Sequence, residues 1–190
     1  MPEPTAAPPG ADSARAALGL CHRCIGGMLD RLDALVVEIA AAATGTPEAA
    51  LADRARTLVA DLDEAMAVHI ADEEADVFPA LLAACDSPAR RAQAFELVSS
   101  LLVEHRDMAE HWHALRIALL AIGSGVAVSF PGGTAASYLT LARAHVAREE
   151  LELADLMRVI DAPRTQRIAV AIAHRHEEAC TRVRNCPLDK

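Results

Sequence analysis

A short phrase that occurs twice sets the strongest constraint on how this chain folds. His69-Ile70-Ala71-Asp72-Glu73-Glu74 returns as His145-Val146-Ala147-Arg148-Glu149-Glu150. In each copy a His and a Glu stand four residues apart, which on an α-helix puts both on one face about one turn apart. A second pair of phrases adds two more histidines: Cys21-His22-Arg23 opens one apolar helical pattern, and Glu104-His105-Arg106 lies in another. The order along the chain is His, His-x-x-x-Glu, His, His-x-x-x-Glu.

The surrounding pattern is helical throughout. Residues 1–12, with four prolines and a glycine, read as a disordered tail. Helices are expected over about 13–43, 46–84, 88–122, 135–160 and 164–184. Thr46 can cap the second with Pro47 in its first turn, and Ser87-Pro88 repeats that start in the third. Pro79 should kink the second helix or end it early. Gly123-Ser124-Gly125 and Pro131-Gly132-Gly133 bracket a loop. Four long helices with mostly short connections predict an all-α, up-down-up-down four-helix bundle over 13–161, with an additional C-terminal helix in an extension over 162–190.

The histidines ride on inward stripes. His22 shares its face with Leu18, Ile25, Leu29, Leu32 and Val36, and His105 shares its face with Leu101, Met108, Trp112, Leu115 and Leu119. His69 lies with Leu62, Met66 and Glu73, and His145 with Tyr138, Leu141, Glu149 and Leu156. The two halves, about 13–84 and 88–160, read as repeats of one helical hairpin. A pseudo-twofold axis would bring the six groups together.

A lone histidine on an apolar face is usually a core residue with a hydrogen bond. A carboxylate there is harder to dismiss, because burying it unpaired costs several kcal/mol. Two His-x-x-x-Glu pairs plus one His on each remaining helix point to metal ligation by His22, His69, Glu73, His105, His145 and Glu149. Imidazole and carboxylate without thiolate suit iron, manganese or zinc more than copper. Four His and two Glu exceed the needs of one catalytic zinc. Two metals sharing two bridging carboxylates would use the set economically.

These residues resemble the hemerythrin-like, or HHE cation-binding, domains. The resemblance covers about 13–160 and rests on His22, on His69-x-x-x-Glu73-Glu74 with the downstream Val77-Phe78-Pro79, on Glu104-His105, and on His145-x-x-x-Glu149-Glu150. It implies an oxo- or hydroxo-bridged non-haem di-iron centre of two iron ions that meets O2, peroxide or nitric oxide. By that likeness, the four histidines are terminal ligands, and Glu73 and Glu149 are the bridges. The oxygen carriers of the family have a further histidine one turn after the third-helix ligand, where this chain has Ala109. His113 lies about 12 Å farther along the helix, and His111 points to another face. With four histidines both metals would have open positions, which favours redox chemistry over reversible oxygen carriage. The ferritin-like di-iron class uses Glu-x-x-His on two helices, and this chain has only Glu110 to His113 in that spacing.

Smaller signals stay open. Glu74 and Glu150 turn about 100° from the ligands and read first as solvated, with a hydrogen bond to a ligand histidine as the alternative. Tyr138 reads as a packed core residue or as a neighbour of the metals. Cys21 and Cys24 bracket His22 and read as small helix residues or as a thiol pair that Cys180 and Cys186 could join. His174-x-x-x-Glu178 has no partner histidines and reads as a surface feature.

Composition excludes several classes. A net charge of −9 gives no footprint for nucleic acid or an anionic membrane. No apolar run approaches a membrane span, and the start lacks the features of a secretory signal. Five cysteines in such a chain argue against a disulfide framework. A cytoplasmic protein with a small diatomic or peroxide ligand is expected. Iron handling, peroxide removal and a metal-stabilised interaction module are the alternatives.

Overall fold

Four long helices with a fifth laid beside them carry the fold. The computed structural model describes residues 12–42 and 47–180. Every regular element among them is helical. Helix α1 spans Asp12–Ala41. Helix α2 is a rod over 49–84 made of Ala49–Ala71, a π-helical turn at Asp72–Val77, and Phe78–Ala84. Helix α3 spans Pro88–Gly123. Helix α4 covers 132–159: Gly132–Arg148, a second π turn at Glu149–Leu153, Ala154–Leu156, and a 3-10 turn at Met157–Val159. Helix α5 spans Ala162–Cys180.

Local chemistry explains most boundaries. The Ser87 hydroxyl accepts a hydrogen bond from the Arg90 N–H at 3.3 Å and caps α3 as expected. Helix α3 ends in a Schellman turn, in which Gly125 (φ 75°) donates to Ile122 and Val126 donates to Ala121. Asp61 and Asp63, farther along α2, bind across to α1 and α3 through Arg31 and through Trp112 and Arg116. Asp161 accepts from the Arg164 N–H at 2.8 Å and starts α5.

Three boundaries differ from the sequence expectation. Helix α2 begins at Ala49 behind an extended Glu48, so Pro47 is not in its first turn; Thr46 lies outside the described residues. Helix α4 starts at Gly132, with the Ala135 N–H bonded to the Pro131 carbonyl, three residues earlier than periodicity indicated. Pro79 neither ends nor sharply breaks α2. The rod takes a π turn, with the Phe78 N–H reaching the Glu73 carbonyl five residues back, and Pro79 falls where its missing N–H is tolerated.

Helix α1 packs on α2 and α4, and α3 packs on the same two, so the four long helices close a ring. Helix α5 lies against α1 and α2. The interior divides into two apolar cores. One holds Ile25, Leu29, Leu32, Leu62, Leu115, Leu119 and Tyr138. The other holds Leu18, Phe78, Leu81, Leu101, Leu153 and Met157, and α5 adds Ile168 and Ile172 to it. Between them lies a buried polar layer. No helix among the described residues is long and apolar enough to cross a membrane.

Candidate metal centre

All six sequence-selected residues meet in the layer between the cores. His22, His69, Glu73, His105, His145 and Glu149 are buried, with His69 and Glu73 at 0% exposure. They form two overlapping groups that could each hold a cation: His22, His69, Glu73 and Glu149, and His105, His145, Glu73 and Glu149. Within each group the ligand atoms lie within 4.8 Å of one another.

Glu149 faces both groups. Its Oε2 is 3.2 Å from His22 Nε2 and 3.3 Å from His69 Nε2, while Oε1 is 2.6 Å from His145 Nε2. Glu73 Oε2 is 3.2 Å from His105 Nε2 and 4.0 Å from His69 Nε2. His105 Nε2 and His145 Nε2 are 3.2 Å apart. Ligand atoms arranged octahedrally about one ion at 2.0–2.1 Å stand about 3 Å apart, so the spacing suits cations between these groups.

Both carboxylates sit at the π turns of α2 and α4. A π turn adds one residue to the helical turn and is frequent at functional sites. Proline does not explain both: the turn at Glu149 contains none, yet the Ala154 N–H reaches the Glu149 carbonyl five residues back.

Burial and partner count leave this layer unsatisfied. Both ring nitrogens of His22 and His69, and both carboxylate oxygens of Glu73 and Glu149, are buried without an aligned hydrogen bond. Such groups are costly unless something pairs with them. Burial pushes the Glu73 carboxyl up, against the pull of His105. Burial acts the same way on Glu149, but His145, His22 and His69 surround it and hold it far below the usual carboxylate range. Burial resists charge on His69; Cys21 and the two glutamates outweigh it, and its pKa rises well above the ordinary value. Cations would satisfy the orphaned atoms without protons, so the residues present fit a metal pair.

The outer contacts correct the sequence reading. Glu74 is not simply solvated: its Oε1 is 2.8 Å from His105 Nδ1. Glu150, 55% exposed at its side chain, stands 3.4 Å from His22 Nδ1. Glu104 Oε2 is 2.8 Å from His145 Nδ1, and Arg148 donates to Glu104 Oε1 at 2.6 Å. The Glu-His dipeptide at 104 carried that signal, since the neighbour of a ligand histidine faces the next helix. Burial pushes the Cys21 thiol up, but the His176 and His69 imidazoles outweigh it and bring the thiol down to about 7. The His-rich stretch of α5 is not a bare surface: His176 Nε2 is 2.6 Å from Asp72 Oδ2, and Arg175 binds Asp72 and Asp76.

Other candidates fall away from the layer. Ala109 is exposed, so its position does not point into the site, while Met108 fills the core beside His105. His113 is exposed, and His111 Nδ1 bonds the Asp107 carbonyl of its own helix. Tyr138 stacks on Trp112, with ring centroids 5.3 Å apart, in the apolar core. Cys21, Cys24 and Cys85 form no disulfide. Cys186 and the side chains of Glu178 and Cys180 lie outside the described residues.

One cavity reaches the layer from outside. About 350 Å³ in volume, it is lined by Arg15, Leu18, Gly19, Leu153 and Met157, with His22 and Glu149 at its inner end.

Among the described residues every regular element is helical, and the overlapping, buried His/carboxylate groups they carry define a cation-binding helical domain. Comparison with known families agrees: the hemerythrin HHE cation binding domain matches residues 14–157. The chain belongs to that family. No curated protein and no solved structure matches it.

Proposed function

We propose that this chain is a non-haem di-iron protein that binds or responds to O2, peroxide or nitric oxide. Its scaffold is an up-down-up-down four-helix bundle with α5 added. One observation carries the reading: two four-residue groups share Glu73 and Glu149. His22 and His69 would hold one iron, His105 and His145 the other, and the two carboxylates would touch both. Bound iron would supply one-electron chemistry and open positions for a small ligand.

The chain's own groups set how such ions are held. With its proton on Nδ1, His105 donates to Glu74 and His145 donates to Glu104. Each hydrogen bond fixes the tautomer and aims the Nε2 lone pair inward. Leu18, Leu153 and Met157 line the cavity toward His22 and give it room for a few-atom ligand. Four histidines and an exposed Ala109 leave no fifth imidazole in the layer, which favours redox response over reversible oxygen carriage. We place the protein in the cytoplasm, acting without nucleic acid or membrane, in keeping with its charge of −9.

Metal analysis with an optical spectrum of aerobically purified protein tests the reading. Two irons per chain with near-ultraviolet charge-transfer bands are expected. One iron per chain, or zinc alone, would overturn it.

A further inference from the structure

Both π turns have a charged pair set across them, and the two copies of the repeat build it differently. In α4, Arg148 stands just before Glu149. Its Nε lies 3.4 Å from Oε1 of Glu152, four residues on, and its Nη1 donates to Glu104 of α3 at 2.6 Å. The same places in α2 hold Asp72, just before Glu73, and Asp76. These are two carboxylates, so the pair repels unless a cation comes from elsewhere. It comes from α5: Arg175 donates to Asp72 Oδ1 and, at 2.7 Å, to Asp76 Oδ2. His176 Nε2 is 2.6 Å from Asp72 Oδ2. One turn is therefore tied by an arginine of its own helix, the other by an arginine 103 positions from Asp72.

Helix α5 is built for this placement. It lies beyond residue 157, where the family match ends. Ile168, Ile172 and Arg175 stand at i, i+4 and i+7, so one stripe of the helix carries both the anchors in the second apolar core and the clamp. Asp72 is fully buried, and a buried carboxylate without partners is costly. It shares the π turn with Glu73, whose oxygens are buried without an aligned hydrogen bond. The contacts that fix Asp72 therefore fix the backbone beside a carboxylate that belongs to both cation groups.

We propose that Arg175 is a positioning residue for Glu73: from α5 it supplies the cation that Arg148 supplies within α4, and it couples cation binding to the docking of α5. The proposal rests on the two-metal reading above, in which Glu73 touches both ions. Because Glu73 is shared, losing the clamp should weaken both ions rather than one. By linkage, bound metal holds α5 down by the same factor that docked α5 tightens metal. Outer contacts of this kind typically change metal affinity by about 10–100-fold.

Two measurements on the full chain test it, both with Co2+ under anaerobic conditions. The first is titration of the metal-free protein against a competing chelator. The unmodified protein should take up two equivalents. Arg175→Ala should weaken both by about 10–100-fold, and Arg175→Lys, which keeps one cation, should lose less. Adding Asp72→Arg to Arg175→Ala puts an arginine four residues before Asp76, as Arg148 stands before Glu152. That double variant should recover most of the loss, which a purely packing role for Arg175 would not produce. The second measurement is hydrogen exchange of the unmodified protein. Metal should slow exchange of the α5 amides over 166–180 by about tenfold or more, although α5 supplies none of the six proposed ligands. In Arg175→Ala that slowing should vanish while the amides around His105 and His145 stay protected. If the variants do not fold by circular dichroism, exchange in the unmodified protein decides alone. Unchanged affinity in Arg175→Ala, weakening of one equivalent only, no recovery in a folded double variant, or α5 exchange indifferent to metal would overturn the proposal and leave the two-metal reading standing. Fewer than two equivalents in the unmodified protein would overturn both.

Discussion

The two groups of the buried layer carry the same repeated sequence phrase, yet they are braced differently. His105 and His145 each meet a carboxylate at 2.8 Å on the nitrogen that faces away from the layer. On that nitrogen His22 has a carboxylate only at 3.4 Å, and neither ring nitrogen of His69 has an aligned partner. The cavity described above is lined by His22 and Glu149. A repeated sequence phrase brings four histidines and two glutamates into one buried layer. The two copies differ in the residues beside the six.

The largest effect should come from removing what the halves share. Glu149 meets three histidines from both groups, so Glu149→Ala should lose nearly all bound iron by elemental analysis. Loss of only one of two irons would show that Glu149 serves one half alone. Metal removal should act on the whole fold. Without cations Glu73 and Glu149 face each other in a layer of unpartnered atoms, so chelation should lower the melting temperature clearly. An unchanged melting curve would mean the layer is satisfied in some other way.

Smaller effects sharpen the contrast between the halves. Glu74→Gln and Glu104→Gln should each weaken metal binding by about 10–100-fold, measured by chelator competition. Glu150→Gln should change it by less than about threefold, because its carboxylate is half exposed and not aligned on His22. Equal losses at all three positions would erase the difference. Gly19→Leu tests access. A Cβ at Gly19 meets nothing closer than Arg23 Nη1 at 3.8 Å, so a side chain can start there, beside the cavity that Gly19 lines. Azide association with the iron-loaded protein should slow severalfold with iron content unchanged. An unaltered rate would place the route to the metals elsewhere.

The six central residues were legible because their spacing matches the helical repeat and because a buried carboxylate demands a partner. The apolar stripes around His22 and His105 were legible for the same periodic reason. Contacts between helices were not. Glu74 and Glu150 occupy equivalent places in the repeat, yet only one sits in aligned contact, and that depends on helix positions that periodicity does not encode. The π turns escaped notice because Glu149–Leu153 contains no breaker, while Pro79 suggested an end where the helix absorbs one extra residue. The His-rich stretch of α5 was visible as unusual, but 104 positions separate His176 from Asp72, and only the docking of α5 brings them together.

The account stands or falls on whether two cations share this layer. A crystal of the iron-loaded protein, with anomalous diffraction measured on both sides of the iron absorption edge, tests it most directly. The account predicts two iron peaks about 3.5–4 Å apart, one beside His22 and His69 and the other beside His105 and His145, with Glu73 and Glu149 between them. A single peak, or iron bound away from these six residues, would contradict it.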